Sequence, residues 1–87
     1  MSLDEDFDKA CEDVKNLNKK PSDKDLLVLY GLYKQSTIGT NNEPKPFIFD
    51  LTKISKWNAW HENRMISKNM AKKKYIEVVS EFKTKYA

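Results

Sequence analysis

Two tyrosines and a lysine at helical spacing are the residues of this chain best suited to ligand chemistry. Tyr30, Tyr33 and Lys34 stand at positions i, i+3 and i+4, so a helix places two phenols and one ammonium on a single face. Ammonium and phenol groups donate strong hydrogen bonds to phosphate, and tyrosine rings can cover a flat ring. The face therefore suits a ligand that carries both a phosphate and a flat ring. The same spacing fits the edge of a tyrosine-rich core beside an extended lysine stem, and spacing alone leaves both interpretations open.

The sequence lacks the residue clusters that catalysis or metal binding requires. His61 is the only histidine and Cys11 the only cysteine, which excludes a two-histidine metal site, a thiolate cluster and an intrachain disulfide. A Ser36–His61–Asp50 arrangement has no nucleophile motif to place it. We therefore expect a protein that is not an enzyme and binds no metal or cofactor. We expect His61 on a solvated helix surface and Cys11 as a core filler.

Length and composition favour a single helical domain over residues 1–87. The 87 residues leave room for one core, and only two glycines and three prolines interrupt them, which favours long helices. The formal charge is +3, with the signs interleaved along the chain rather than gathered into a cationic stripe. The N-terminus lacks the apolar run of a signal peptide, and no window approaches the roughly 18 apolar residues of a membrane span. A soluble cytoplasmic protein is the expectation.

Hydrophobic periodicity predicts two helices in the first half of the chain. Apolar residues at spacings of three and four mark the first helix: Leu3, Phe7, Cys11, Val14 and Leu17. It should end before Pro21, because the residue ahead of a proline avoids helical geometry. Residues 22–25 resemble a capping box and open a second helix over about 23–37. Gly31 lies inside it, so either another backbone or a ligand comes close there, or the glycine is tolerated at about 1 kcal/mol.

Two further helices are predicted after a long connection. Residues 39 to about 51 contain two prolines and no periodicity, which predicts a loop. Thr52 is predicted to cap a third helix through about residue 62, and Ser67 a fourth helix through about residue 86. The apolar stripe of the fourth helix is Ala71, Tyr75, Val78 with Val79, Phe82 and Tyr86.

A nucleic-acid-binding module and a peptide-docking bundle are the alternatives from other functional classes. Lys72, Lys73 and Lys74 form a basic run, and Trp57 and Trp60 can stack on bases. Three successive helical residues spread over a wide arc, however, so a solvated surface is the better interpretation. Paired aromatic residues on a short helix are more typical of a core. In the second alternative, the tyrosine face docks a peptide helix.

Four motifs in order resemble the acyl-CoA-binding protein family. They span residues 7–14 (FDKACEDV), 30–39 (YGLYKQSTIG), 56–60 (KWNAW) and 71–76 (AKKKYI). The likeness runs without an evident gap from about residue 3 to residue 86. It implies an all-α, up-down-down-up four-helix bundle, a single acyl-CoA-binding domain. We accordingly expect a non-catalytic intracellular carrier and pool former for medium- and long-chain fatty acyl-CoA. We expect a monomer, because so short a chain that encloses a ligand needs no partner to complete its core.

The resemblance implies eight ligand-binding residues: Lys15, Tyr30, Gly31, Leu32, Tyr33, Lys34, Lys56 and Tyr75. Tyr30, Tyr33 and Lys34 would meet the nucleotide part of coenzyme A. Lys56 would join Lys34 near the ribose 3′-phosphate, and Tyr75 would pack by the adenine and ribose. Partners would be long-chain acyl-CoA and at most transient contacts with membranes or acyl-CoA-using enzymes, and no nucleic acid. An acyl-CoA-consuming enzyme is disfavoured by the missing catalytic cluster.

The remaining expectations concern the edges of the site. The resemblance implies that Lys15 lies at one edge, while Gly31 and Leu32 line the site through backbone or packing. Three apolar residues are our own inference for covering the acyl chain: Leu26, Leu27 and Ile48.

This chain departs from the common family pattern next to Lys56. Leu51 stands where an aromatic residue is frequent, and Thr52 and Ile54 replace residues that are often lysine. These changes reduce the positive charge around Lys56 and could alter affinity or the preferred chain length. Met70 replaces an acidic residue that would complete a capping box on the fourth helix.

Overall fold

Four helices account for most of the residues that the computed structural model describes, which are residues 2–47 and 49–87. In chain order they are α1 (Leu3–Lys15), α2 (Asp23–Thr37), α3 (Leu51–His61) and α4 (Lys68–Lys85). The described residues contain no strand, and the predicted all-α fold class is confirmed. None of these four helices has the length and hydropathy that crossing a bilayer demands.

Side chains cap both ends of α1. Ser2 Oγ accepts a hydrogen bond from Glu5 N at 3.1 Å, and the Glu5 carboxylate accepts one from Ser2 N at 3.4 Å, which makes a complete capping box. The helix ends at Lys15, where Asn16 is the C-cap. The helix thus stops well ahead of Pro21, so the cap at Asn16 rather than the proline terminates it.

The start of α2 is joined to the end of α4. Ser22 Oγ accepts from Asp25 N at 3.2 Å, as the predicted capping box requires. The other half of that box is absent, because Ser22 N donates to the Tyr86 hydroxyl at 3.0 Å. The Asp25 carboxylate instead accepts from Tyr86 and from Lys85 Nζ, the latter at 2.7 Å. The aspartate therefore links two helices that are distant in sequence.

The start of α3 differs from the prediction, whereas the start of α4 agrees with it. Asp50, and not Thr52, caps α3, because its carboxylate accepts from Lys53 N at 3.1 Å and the helix already begins at Leu51. Ser67 caps α4 as predicted and accepts from Met70 N at 3.1 Å.

The core lies where α4 packs against α1 and α2, while α3 packs against α2. Its buried cluster comprises Phe7, Ala10, Leu29, Leu32, Tyr75, Val79 and Phe82. Cys11 is partly buried against this cluster, in agreement with its predicted role as a core filler. The predicted stripe on α4 is also confirmed, since Ala71, Tyr75, Val79 and Phe82 are buried.

The tyrosine-bearing side of α2 lies outside the core. The buried side chains of α2 are Leu29, Leu32, Gln35 and Ser36. Four others are half-buried or exposed, namely Leu26, Leu27, Tyr30 and Tyr33. Packing therefore leaves these apolar and phenolic groups available at the surface.

Gly31 is the point of close approach between α2 and α3. A Cβ atom at Gly31 would lie 2.2 Å from the carbonyl oxygen of Ala59, far inside van der Waals contact. Glycine is required there because another backbone passes, which confirms one of the expected reasons for its presence. Further along the chain, Trp60 is buried and its Nε1 donates to Gly39 O at 2.7 Å, which fixes the end of α3 against the loop after α2.

Candidate ligand-binding site

A groove of about 520 Å³ lies between the first halves of α2 and α3. We call it the α2–α3 groove, and its walls are Asp23, Leu26, Leu27, Tyr30, Thr52, Ser55 and Lys56. Lys56 Nζ lies 5.5 Å from the centroid of the Tyr30 ring, so the structure brings these two predicted site residues together across the groove. The α2 wall combines two leucines with a phenol, and the α3 wall adds hydroxyls and an ammonium.

Tyr33 lies on the other side of α2, in an aromatic cluster shared with α1 and α4. Its ring centroid is 5.9 Å from that of Phe7 and 6.2 Å from that of Tyr75. Tyr33 is 43% exposed, whereas Tyr75 is only 5% exposed. The accessible ring of this cluster is therefore that of Tyr33, and the buried Tyr75 ring packs on its core side.

The single face predicted from spacing is thus divided. Tyr30 and Lys34 lean toward α3, while Tyr33 leans toward α1 and α4. Lys34 Nζ lies 4.7 Å from the Trp60 ring centroid, so a cation–π contact joins α2 to α3. The three side chains together form a surface that runs from the groove to the aromatic cluster.

Burial keeps the Tyr75 phenol neutral. Removal from water, reinforced by the neighbouring Cys11 thiol, raises the pKa of Tyr75 well above its ordinary value of 10.0. Burial also raises the pKa of Cys11, although a hydrogen bond with Tyr75 and the charge of Lys15 partly oppose that effect. The thiol is therefore protonated at neutral pH and is a poor nucleophile.

The other predicted residues fall into two groups. Gly31 and Leu32 are buried, the first against Ala59 and the second in the core, so neither offers a free side chain to a ligand. Lys15 is exposed at the end of α1 and pairs with Glu12 at 3.3 Å. It is not in contact with the other predicted lysines. Ile48, inferred to cover the acyl chain, lies outside the described residues.

His61 differs from the solvated residue expected from the sequence. Its ring stacks on Trp57 with centroids 4.6 Å apart, and its buried Nδ1 has no hydrogen-bond partner among the described residues. The spacing of four residues between Trp57 and His61 predicts such a contact on a helix. Trp57 Nε1 donates to Glu43 O at 2.9 Å, so this pair fastens the loop before α3.

Contacts within the fold occupy some of the residues on which the nucleic-acid alternative depends. Lys72 is largely buried along its stem and pairs with Asp4 at 2.6 Å, which ties α4 to α1. Trp60 is buried and Trp57 is covered by His61, so neither indole is a free stacking platform.

Several residues of the site were not predicted. Thr52 and Ser55 line the groove, and Thr52 stands one helical turn before Lys56, a spacing that points to a shared face. Lys34 contacts Trp60, and Tyr33 stacks on Phe7. Both contacts join different helices, and residue spacing within one helix does not predict them.

The fold and the site define a small four-helix bundle with a groove that joins apolar side chains to tyrosines and lysines. Residues 4–79 match the model of the family described as acyl-CoA-binding protein, and this chain belongs to that family. It is 45% identical over 80 residues to acyl-CoA-binding protein homolog 1 of Caenorhabditis elegans, across 92% of this chain and 93% of that protein.

Solved structures support the same assignment. The crystal structure of Oryza sativa acyl-CoA-binding protein 2 has a TM-score of 0.91 at 38% identity, covering 97% of this chain and 93% of that one. The corresponding protein from Moniliophthora perniciosa has a TM-score of 0.86 at 35% identity, covering 99% and 92%. These matches confirm the predicted family and its up-down-down-up four-helix bundle.

Proposed function

We propose that this protein binds medium- and long-chain fatty acyl-CoA thioesters and serves as a non-catalytic carrier and pool former for them. The observation that carries the proposal is the α2–α3 groove, where the apolar Leu26 and Leu27 lie on the same wall as Tyr30, opposite Lys56. An acyl-CoA is likewise apolar at one end and anionic at the other. Membership of the family supports the same ligand.

The nucleotide end of the ligand binds where the lysines meet the tyrosines. Lys56 and Lys34 donate to the ribose 3′-phosphate, and Lys34 exchanges its contact with Trp60 for that phosphate. The half-exposed ring of Tyr33 stacks on the adenine. Tyr75 holds Tyr33 in place from the core, and Lys15 reaches the ligand from the edge after leaving Glu12.

The acyl chain lies in the α2–α3 groove against Leu26 and Leu27. Each methylene removed from water contributes about 0.8 kcal/mol. Gly31 lets α3 approach α2 behind the groove and so sets the distance between its walls. Burial of the tail and contacts with the nucleotide act on one molecule, so the second contact forms at a high effective concentration. The intact thioester therefore binds more tightly than either of its parts.

The carrier role requires no covalent step. The thioester is kept from water by burial and leaves the protein unchanged. We further propose that the chain functions as a monomer, as one domain over residues 1–87, in the cytoplasm, and that its partners beyond the ligand are transient.

Lysine substitutions test the site, with palmitoyl-CoA titrated by calorimetry. Lys34→Ala and Lys56→Ala should each weaken binding about tenfold or more, because hydrogen bonds to charged groups contribute about 1.5–3 kcal/mol. Lys73→Ala is the matched control, since Lys73 is an exposed lysine on α4 away from the groove. Circular dichroism should show all three variants as helical as wild type. If Lys34→Ala and Lys56→Ala bind like Lys73→Ala, the assigned site is wrong.

A further inference from the structure

A second cavity, larger than the α2–α3 groove, is lined by residues of α2, α3 and α4. Within the described residues, α3 and α4 each pack against α2 but not against each other, which leaves a cleft with α2 at its base. The cleft has a volume of about 650 Å³, compared with about 520 Å³ for the groove. We call it the α4-side pocket, and its apolar lining residues include Leu27, Val28, Ala59 and Val78.

The walls of the α4-side pocket suit a hydrocarbon chain. Val28 is 41% exposed, and Leu27 and Val78 are partly buried, so the pocket presents apolar surface to a ligand. Five exposed charged residues also line it, and none forms an ion pair in the part of the chain that the structure describes: Lys24, Glu62, Lys74, Glu77 and Glu81. Their aliphatic stems are therefore free to lie over an apolar ligand while their charged ends stay in water.

Two residues connect the α4-side pocket to the α2–α3 groove. Leu27 on α2 and Ser55 on α3 line both cavities. The helices approach most closely about one turn further along, at Gly31 and Ala59, and the groove opens between their first halves. A flexible chain that lies in the groove can therefore pass between Leu27 and Ser55 into the α4-side pocket.

The volume of the groove limits the length of chain that it covers alone. A methylene occupies roughly the space of a water molecule in the liquid, about 30 Å³. At that size the groove, with its volume of about 520 Å³, holds about 17 methylenes at most. A longer acyl chain has carbons beyond the groove, and the passage between Leu27 and Ser55 leads them into the α4-side pocket.

We propose that the α4-side pocket binds the ω end of acyl chains longer than about 18 carbons, so that very-long-chain acyl-CoA thioesters are among the ligands of this protein. This inference rests on the proposed function, because the remainder of the same ligand occupies the groove. Each methylene that the pocket removes from water tightens binding up to about fourfold. Palmitoyl-CoA, by contrast, ends within the groove.

Competition calorimetry with palmitoyl-CoA and docosanoyl-CoA tests the proposal, because only the docosanoyl chain exceeds the groove. Wild type should bind docosanoyl-CoA at least about tenfold more tightly. Val28→Asp places a carboxylate in the α4-side pocket and should abolish that gain, with palmitoyl-CoA affinity unchanged. Met70→Asp is the matched control, because Met70 is 44% exposed and lines neither cavity, and it should bind both thioesters like wild type.

Nuclear magnetic resonance locates the end of the chain in the wild-type protein. Glu77, Val78 and Glu81 lie on α4 and line the α4-side pocket, whereas no residue of α4 lines the groove. Their amide signals should shift further with docosanoyl-CoA than with palmitoyl-CoA. The nucleotide is the same in both ligands, so its effect on α4 cancels in the comparison.

Three results would overturn the proposal. They are equal affinity of wild type for the two thioesters, undiminished docosanoyl-CoA binding by Val28→Asp, and identical α4 signals with both ligands. Val28 is exposed, so its variant should fold, and circular dichroism checks this; Asn58→Asp, on the α3 wall of the same pocket, takes its place if it does not. Failure of wild type to bind palmitoyl-CoA would contradict the proposed function itself, whereas loss of the docosanoyl gain alone contradicts only the role of the α4-side pocket.

Discussion

The close approach of α2 and α3 at Gly31 predicts a large effect from adding one methyl group. In Gly31→Ala the new Cβ would lie 2.2 Å from Ala59 O, 2.7 Å from Ala59 C and 3.0 Å from Asn63 Nδ2. The first two atoms are backbone, so α3 must move away from α2 by more than about 1 Å to reach ordinary contact. Overpacking of this kind costs about 1–3 kcal/mol, and the gain in helix propensity is about 1 kcal/mol. Because the atoms that the methyl group meets cannot turn aside, we expect the upper part of that cost, and the net free energy of unfolding should fall by about 1–2 kcal/mol.

The same shift should weaken ligand binding. Thr52, Ser55 and Lys56 move with α3, so the groove widens and Lys56 withdraws from Tyr30. A misplacement of about 1 Å in a site is commonly severe, and we expect affinity for palmitoyl-CoA to fall at least about tenfold. Urea denaturation and calorimetric titration measure the two effects.

Two further variants isolate the cause. Ser80→Ala is the first, on the exposed side of α4. It raises helix propensity without introducing a clash, so the free energy of unfolding should stay unchanged or rise slightly. Adding Ala59→Gly to Gly31→Ala should not restore stability, since the clash is with a carbonyl and not with the Ala59 side chain. A Gly31→Ala protein as stable as wild type would refute the reasoning.

The remaining predictions concern the junction between α2 and α4. Hydrogen bonds from Lys85 and Tyr86 hold the pKa of Asp25 below its ordinary value of 3.8. The ionised carboxylate therefore stabilises the fold above pH 3.8, and this stabilisation is lost as the pH falls through the lower, folded-state pKa. Asp25→Asn should flatten that part of the acid-unfolding profile measured by circular dichroism, and an unchanged profile would contradict the assignment. Tyr86→Phe removes the partner of Ser22 N and should lower the free energy of unfolding by about 1 kcal/mol; no change in urea denaturation would show that water replaces the hydroxyl.

The sequence predicted the elements better than their contacts. Apolar residues at spacings of three and four predicted the helices, because they record which side of a helix is buried. Ser67 at the start of α4 was predicted correctly, since a serine cap acts within its own helix turn. The predicted cap of α3, Thr52, was wrong because aspartate and threonine are both good N-cap residues. The hydrogen bond from Asp50 N to Phe47 O closes a turn that places the aspartate at the cap position.

The geometry of the candidate site was not predictable from the sequence. Tyr30 and Tyr33 share one side of an isolated helix, yet they separate once α3 packs on one flank and α1 and α4 on the other. The contact of Lys34 with Trp60 likewise depends on how α2 and α3 meet. Tyr75 is buried beside the exposed Tyr33, and a motif cannot reveal that difference in exposure.

Calorimetric comparison of palmitoyl-CoA, coenzyme A and palmitate with the wild-type protein tests the central claim most directly. In the proposed complex the groove supplies an apolar wall and the lysines supply the phosphate contacts, so only the intact thioester would use both. We predict that palmitoyl-CoA binds at least about a hundredfold more tightly than either part, because each part loses several kcal/mol of contacts. An affinity for palmitate or coenzyme A alone that equals the affinity for palmitoyl-CoA would contradict the account.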